Sequence, residues 1–132
     1  MTAALEPLVL IVDDNERNRR LARDVLRFAG LRTIEAGTAR DGIRAAIEAE
    51  PDVILMDIRL PDLDGPAALS LLRADPRTAA IPIVAVTSSA MMGDRERLLA
   101  AGFDGYLEKP INVREFAGQV RAHARHAEES GG

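Results

Sequence analysis

Three short apolar runs and a fifth-strand segment each give way to residues able to do chemistry. The run Leu8–Val12 leads into Asp13 and Asp14, residues 53–56 into Asp57, residues 83–86 into Thr87, Ser88 and Ser89, and residues 103–107 into Glu108, Lys109 and Pro110. If the runs are parallel strands of one sheet, neighbouring ends lie about 5 Å apart. Three carboxylates, a hydroxyl and an ammonium then share one rim. Carboxylates crowded in a crevice repel unless a cation sits among them. An all-oxygen ligand set selects a hard ion, magnesium foremost. With metal on one side, Lys109 on the other and the Thr87 hydroxyl as donor, the rim is a cradle for a dianion such as a phosphoryl group. An aspartate in such a cradle can itself be the nucleophile and form an acyl phosphate. Asp57, ending the third run, is the best placed.

Composition sharpens the reading of Lys109. Lysine plus arginine number 17, and Lys109 is the only lysine. A lysine kept where every other basic residue is arginine points to a need for a compact ammonium, which a planar guanidinium does not replace in a tight site. Each residue also has a plain role: Asp14 as a helix cap, Thr87 as a strand-end threonine, Lys-Pro as a common dipeptide. The specificity lies in the coincidence of all of them at the ends of successive runs.

The elements that must hold these residues alternate along the chain. Leu8–Val12 is a strand without polar alternation, as expected when both faces are buried. Asn15 caps a first helix, with Leu21, Val25 and Phe28 on the inward face and Gly30 as its stop. Residues 31–36 make a second strand. Thr38 and Asp41 resemble a capping box opening a helix with Ile43, Ala46 and Ile47 inward, ended by Pro51. Residues 53–56 are the third strand. Pro66 suits the first turn of a third helix carrying Leu69 and Leu72. Residues 83–86 are the fourth strand, Asp94–Ala101 the fourth helix before Gly102, and residues 103–107 the fifth strand. Asn112 and Glu115 open a fifth helix running to about His126, followed by a frayed tail over 127–132. Alternating strands and helices imply a parallel sheet covered on both faces. The expected fold is α/β: a flavodoxin-like (βα)5 doubly wound sheet in the order 2-1-3-4-5. Its site should lie beyond the carboxyl ends of the first and third strands.

Whole-chain properties narrow the class. With 132 residues, one domain is expected over 1–132, its core about 8–126. There is no cysteine, so disulfides and thiolate chemistry are excluded and a reducing cytoplasm suits the chain. The net charge of −4 lacks the basic excess of a nucleic-acid binder. No apolar run approaches a membrane span, and the first residues lack the pattern of a secretory signal. The expectation is a cytoplasmic protein without nucleic-acid or membrane partners.

The residues together resemble the receiver domain of two-component response regulators over residues 8–124. The resemblance rests on Val9-Leu10-Ile11-Val12-Asp13-Asp14-Asn15, on Leu55-Met56-Asp57-Ile58-Arg59-Leu60-Pro61 with Asp64-Gly65, on Val84-Ala85-Val86-Thr87, and on Lys109-Pro110. Residues 56–61 and 90–97 look most like DivK-type single-domain regulators and receivers of hybrid histidine kinases. The resemblance implies that Asp57 accepts a phosphoryl group from a partner's phosphohistidine. It implies that Asp13, Asp14, Asp57 and the backbone carbonyl of Arg59 hold magnesium. Thr87 would bond the phosphoryl group, Lys109 would pair with one of its oxygens, and the Lys109–Pro110 peptide would be cis. Tyr106 matches an aromatic switch that turns inward when Thr87 shifts. Partners would be a histidine kinase or histidine phosphotransferase, with a downstream protein bound through the fourth helix, fifth strand and fifth helix. Such a protein catalyses only its own phosphorylation and dephosphorylation.

Other readings compete. A receiver excised from a hybrid kinase shares every motif above. A magnesium phosphatase with an aspartyl nucleophile, of the haloacid dehalogenase type, would carry Asp-x-Asp after the first strand, and Asp13-Asp14-Asn15 breaks that spacing. A pseudo-receiver scaffold would lack intact Asp57, Thr87 and Lys109. Arg59 and Ser89 stand at positions that influence phosphoryl hydrolysis in the family. Arg17, Arg20, Arg23 and Arg27 read as a solvated stripe on the first helix, and His123 and His126 as an exposed helix end.

Overall fold

The structure is a computed structural model that describes residues 6–88 and 94–125. Ser89, segment 90–93, His126 and the 127–132 tail lie outside the described residues. Five strands and five helices alternate: β1 (Leu8–Val12), α1 (Glu16–Phe28), β2 (Arg32–Ala36), α2 (Ala39–Ala49), β3 (Val53–Asp57), α3 (Gly65–Ala74), β4 (Ile83–Thr87), α4 (Asp94–Ala101), β5 (Gly105–Glu108) and α5 (Val113–His123). The sheet order is β2-β1-β3-β4-β5 and every pairing is parallel, as the alternation of runs implies.

Burial explains the unbroken apolar runs. All five residues of β3 and of β4 are buried. Leu10, Val12, Ile54, Met56, Ile83 and Ala85 belong to one core, with Ala46 of α2 and Leu69 and Leu72 of α3. Val9, Ile11, Val53, Leu55, Val84 and Val86 belong to the other, with Leu26 of α1 and Phe116 and Val120 of α5. β1, β3 and β4 therefore feed two cores with alternate side chains, and neither of their faces can be polar.

Local signals set the helix ends. The Asn15 side chain accepts from the Asn18 N–H, Thr38 from Asp41 and Asp64 from Ala67, each satisfying a first-turn donor. Gly30 follows α1 at φ +95, a conformation a Cβ would strain. Glu50 closes α2 in the left-handed region at φ 48, directly before Pro51.

Three expectations are corrected. The inward face of α1 is formed by Ala22 and Leu26, with Val25 packed beside them as expected, while Leu21 is 44% and Phe28 96% exposed. Counting only large apolar residues misplaces the stripe, because the small Ala22 is what faces the sheet. β5 begins at Gly105 and not at 103: Phe103 is buried in the first core, and the Asp104 carboxylate accepts the Ile83 N–H at 2.8 Å. α5 stops at His123, because Ala124 is extended and the Arg125 N–H turns to the Asp52 carbonyl at 3.1 Å.

Candidate functional site

The carboxyl ends of β1, β3, β4 and β5 converge as the sequence demands. Asp13 follows β1 directly, and Asp57 is the last residue of β3. Asp57 pairs in register with Val86, which brings Thr87 one step further along the same rim. Thr87 pairs with Glu108, and the Lys109 N–H donates to the Thr87 carbonyl at 2.8 Å. The Lys109–Pro110 peptide is cis.

At the centre sits the Lys109 ammonium. It donates to Asp13 Oδ2 at 2.8 Å and to Asp57 Oδ2 at 2.9 Å. The other oxygens are held by backbone: Asp13 Oδ1 accepts the Asn15 N–H at 2.8 Å, and Asp57 Oδ1 accepts the Arg59 N–H at 3.0 Å. Asp14 is exposed, yet its carboxylate and those of Asp13 and Asp57 bring one oxygen each within 4.8 Å of one another. Three hard oxygen donors at that spacing fit a magnesium ion, with water free to complete the shell on the exposed Asp14 side.

Electrostatics oppose each other here. Burial pushes the Asp57 carboxyl above its ordinary value, and the Arg59 N–H and the Lys109 ammonium pull it back without cancelling the burial. Burial also works against the Lys109 charge, but hydrogen bonds to Asp13 and Asp57 outweigh it and raise the ammonium above its ordinary value. Lys109 is thus a firmly held cation between two carboxylates. A cavity of about 440 Å³ opens beside them, bounded by Asp13, Asp57, Ser88, Lys109 and Pro110 and running down to Phe116.

The remaining sequence candidates fall around this centre. Thr87 is buried on the rim. Tyr106 is half-buried on β5, opposite Ala85, and its hydroxyl is held above its usual value by burial and then by Glu108. The basic stripe of α1 is only partly solvated: Arg23 lies between Asp24 and Glu35, and Arg27 donates to the Thr33 hydroxyl at 2.7 Å. His123 is not an exposed end residue; its ring packs on the bare Cα of Gly105, where no Cβ would fit. Two residues escaped the sequence reading. Asp62, in the loop after Asp57, accepts the Ala39 and Arg40 N–H groups at 2.9 Å each and so caps α2 from a distance. Arg19 donates to the Asp13 carbonyl at 2.7 Å. Arg19 sits just off the stripe of Arg17, Arg20, Arg23 and Arg27, which was the one available signal.

A doubly wound parallel sheet with a carboxylate cluster and a lysine at its switch point defines a class of α/β domains whose site lies beyond the carboxyl ends of the strands. Within that class the chain belongs to the response regulator receiver domain family, whose model matches residues 9–121. It is 39% identical over 115 residues to the polar-differentiation response regulator DivK of Brucella ovis, covering 87% of this chain and 94% of that protein. Among solved structures it resembles the receiver domain of a sensor histidine kinase of Pseudomonas aeruginosa, with a magnesium ion coordinated in the active-site cleft. That match has 36% identity and a TM-score of 0.81, covering 89% of this chain and 97% of the other. A chemotaxis response regulator of Vibrio cholerae matches at 26% identity and a TM-score of 0.82, covering 89% and 98%.

Proposed function

We propose that the chain accepts a phosphoryl group on Asp57 from the phosphohistidine of a histidine kinase or histidine phosphotransferase, and that the modified form binds a downstream protein. The observation that carries this reading is the Lys109 ammonium, held 2.8 and 2.9 Å from Asp13 and Asp57 at the mouth of an open cavity. An Asp57 carboxylate oxygen attacks phosphorus, a P–O bond forms, and the P–N bond breaks with its electron pair leaving on the imidazole. Asp13, Asp14, Asp57 and the Arg59 carbonyl would hold magnesium, which would supply neutralising charge for the phosphoryl oxygens. Lys109 transfers its hydrogen bond from Asp57 to a phosphoryl oxygen. The backbone bond from Lys109 to the Thr87 carbonyl links the loops after β4 and β5, so the two respond together.

The switch follows from charge. A phosphoryl group adds about two negative charges and three acceptors at one point. Moving an equilibrium from 1:99 to 99:1 takes about 5.5 kcal/mol of differential interaction. A charge-assisted bond from Thr87 to the phosphoryl group, at about 1.5–3 kcal/mol, supplies part of that, and the Lys109 bond transferred from Asp57 adds only its gain in strength. Thr87 moves to the phosphoryl group, Tyr106 turns inward behind it, and the face of α4, β5 and α5 changes for a protein partner. The chain acts in the cytoplasm, catalyses only its own modification and its reversal, and engages neither nucleic acid nor membrane. None of the described helices is long and apolar enough to cross a bilayer.

The match to DivK over 94% of that protein favours a stand-alone regulator. The match to a kinase receiver keeps a second reading open, in which the domain serves a hybrid kinase. Incubation with a phosphorylated histidine phosphotransferase tests the shared core. Transfer that needs magnesium and stops on chelation supports it; label that stays on the donor under both conditions overturns it.

A further inference from the structure

The placement of Asp14 raises a question that the carboxylates alone leave open. Asp13 is fixed on every side: its N–H donates to the Ala36 carbonyl at 3.1 Å, and its two carboxylate oxygens take Asn15 and Lys109. No hydrogen bond among the described residues holds the Asp14 carboxylate, so its position depends on the peptide that carries it. That peptide is gripped by one side chain. Arg19 Nη1 donates to the Asp13 carbonyl at 2.7 Å, and Arg19 Nε bonds Glu35 Oε1 of β2 at 3.2 Å. Glu35 and Ala36 are neighbours at the end of β2, so Asp13 is braced from one strand end twice. Ala36 holds its N–H directly, and Glu35 holds its carbonyl through Arg19. The Arg19 and Glu35 side chains are only 20% and 26% exposed, which limits the freedom of the brace.

We infer that Arg19, seated on Glu35, is a positioning residue that orients the Asp13–Asp14 peptide so that Asp14 meets the cation. The inference rests on the reading that the three carboxylates take magnesium. A planar guanidinium suits the task because its fork holds donors in fixed, separated directions, one to the carboxylate and one to the carbonyl. Partners behind metal ligands commonly control affinity by 10- to 100-fold.

Charge and positioning predict opposite signs. Arg19 is a cation near a cation site. If it acted only through its field, Arg19→Met would tighten magnesium binding. As a positioning residue, its loss weakens binding. The experiment is magnesium titration calorimetry on the full chain, with acetyl phosphate labelling measured at saturating magnesium. The expected results are a magnesium Kd about tenfold higher for Arg19→Met, a smaller rise for Arg19→Lys, and a labelling rate at saturation within about twofold of wild type. Glu35→Gln, which leaves Arg19 in place, raises Kd by about threefold, and adding it to Arg19→Met brings no further loss, as expected of two members of one brace. Glu35→Gln carries the test if Arg19→Met fails to fold, and an unchanged Kd there overturns the inference. Equal or tighter binding by folded Arg19→Met overturns it while leaving the site reading intact. Absence of magnesium binding by the wild type overturns both.

Discussion

Replacing Lys109 by methionine removes the ammonium while keeping most of the side-chain volume. It leaves Asp13 and Asp57, only 6% and 9% exposed, facing each other without the cation between them. Breaking one partner out of a buried ion pair costs about 3–5 kcal/mol. This site lies on a rim and is less fully buried, so the cost falls below that range, at about 2–3 kcal/mol. At this chain length, about 3–5 °C of Tm per kcal/mol gives a fall of about 6–15 °C at neutral pH without metal. The pH dependence has a defined sign. Burial already raises the Asp57 carboxyl, and losing Lys109 raises it further. The folded variant then holds protons that the unfolded chain has released, so its stability falls as pH rises through that window and recovers as pH drops. In the wild type, the raised Lys109 contributes stability below its ordinary value of 10.5, and that contribution is lost as pH climbs through the higher folded value. Magnesium should stabilise the variant more than the wild type, because the cation meets two carboxylates with no ammonium competing. The assay is thermal denaturation by circular dichroism across pH, with magnesium and with chelator. A variant Tm within about 2 °C of wild type in chelator, at neutral pH, would refute the central role given to this ammonium.

Other outcomes follow from the same geometry. Lys109→Arg keeps the charge but not the compact shape, so it should bind magnesium in calorimetry yet capture a partner poorly in the presence of beryllofluoride; wild-type capture would undo the argument from the solitary lysine. Gly42→Ala places a Cβ 2.8 Å from Val12 Cγ2, and should lower stability in urea titration by about 1–3 kcal/mol despite the better helix propensity of alanine. Arg77, through its side chain and then its N–H, pulls Asp75 down to about 2 from an ordinary 3.8. The stability this supplies is present above about pH 4 and lost as pH falls through 2, so the gap between wild type and Asp75→Asn in urea midpoints should close over that window.

The strand ends were the legible part of the chain. Runs such as Leu8–Val12 and residues 83–86 are apolar without alternation because two cores consume them, and that pattern, alternating with helices, sets the parallel sheet and its rim. Asp13 and Asp57 could be placed because each stands one step from such a run, and Lys109 because it stands two steps past the expected fifth strand, residues 103–107. The α1 face was less legible, since Ala22 at the contact carries little hydrophobic signal while Phe28 carries much and is 96% exposed. Gly105 hid its role for another reason: the absence of a Cβ says nothing until α5 lays His123 across it. Arg19 and Asp62 make contacts set by the turn of a helix and the path of a loop, which spacing along one chain does not encode.

The most direct test of the account is to locate the phosphoryl group. After magnesium-dependent labelling with acetyl phosphate, borohydride reduction and tandem mass spectrometry should mark Asp57 alone, and the Asp57→Asn chain should carry no mark. A mark on Asp13, Asp14 or any hydroxyl residue in the wild type, or undiminished labelling of Asp57→Asn, would contradict it.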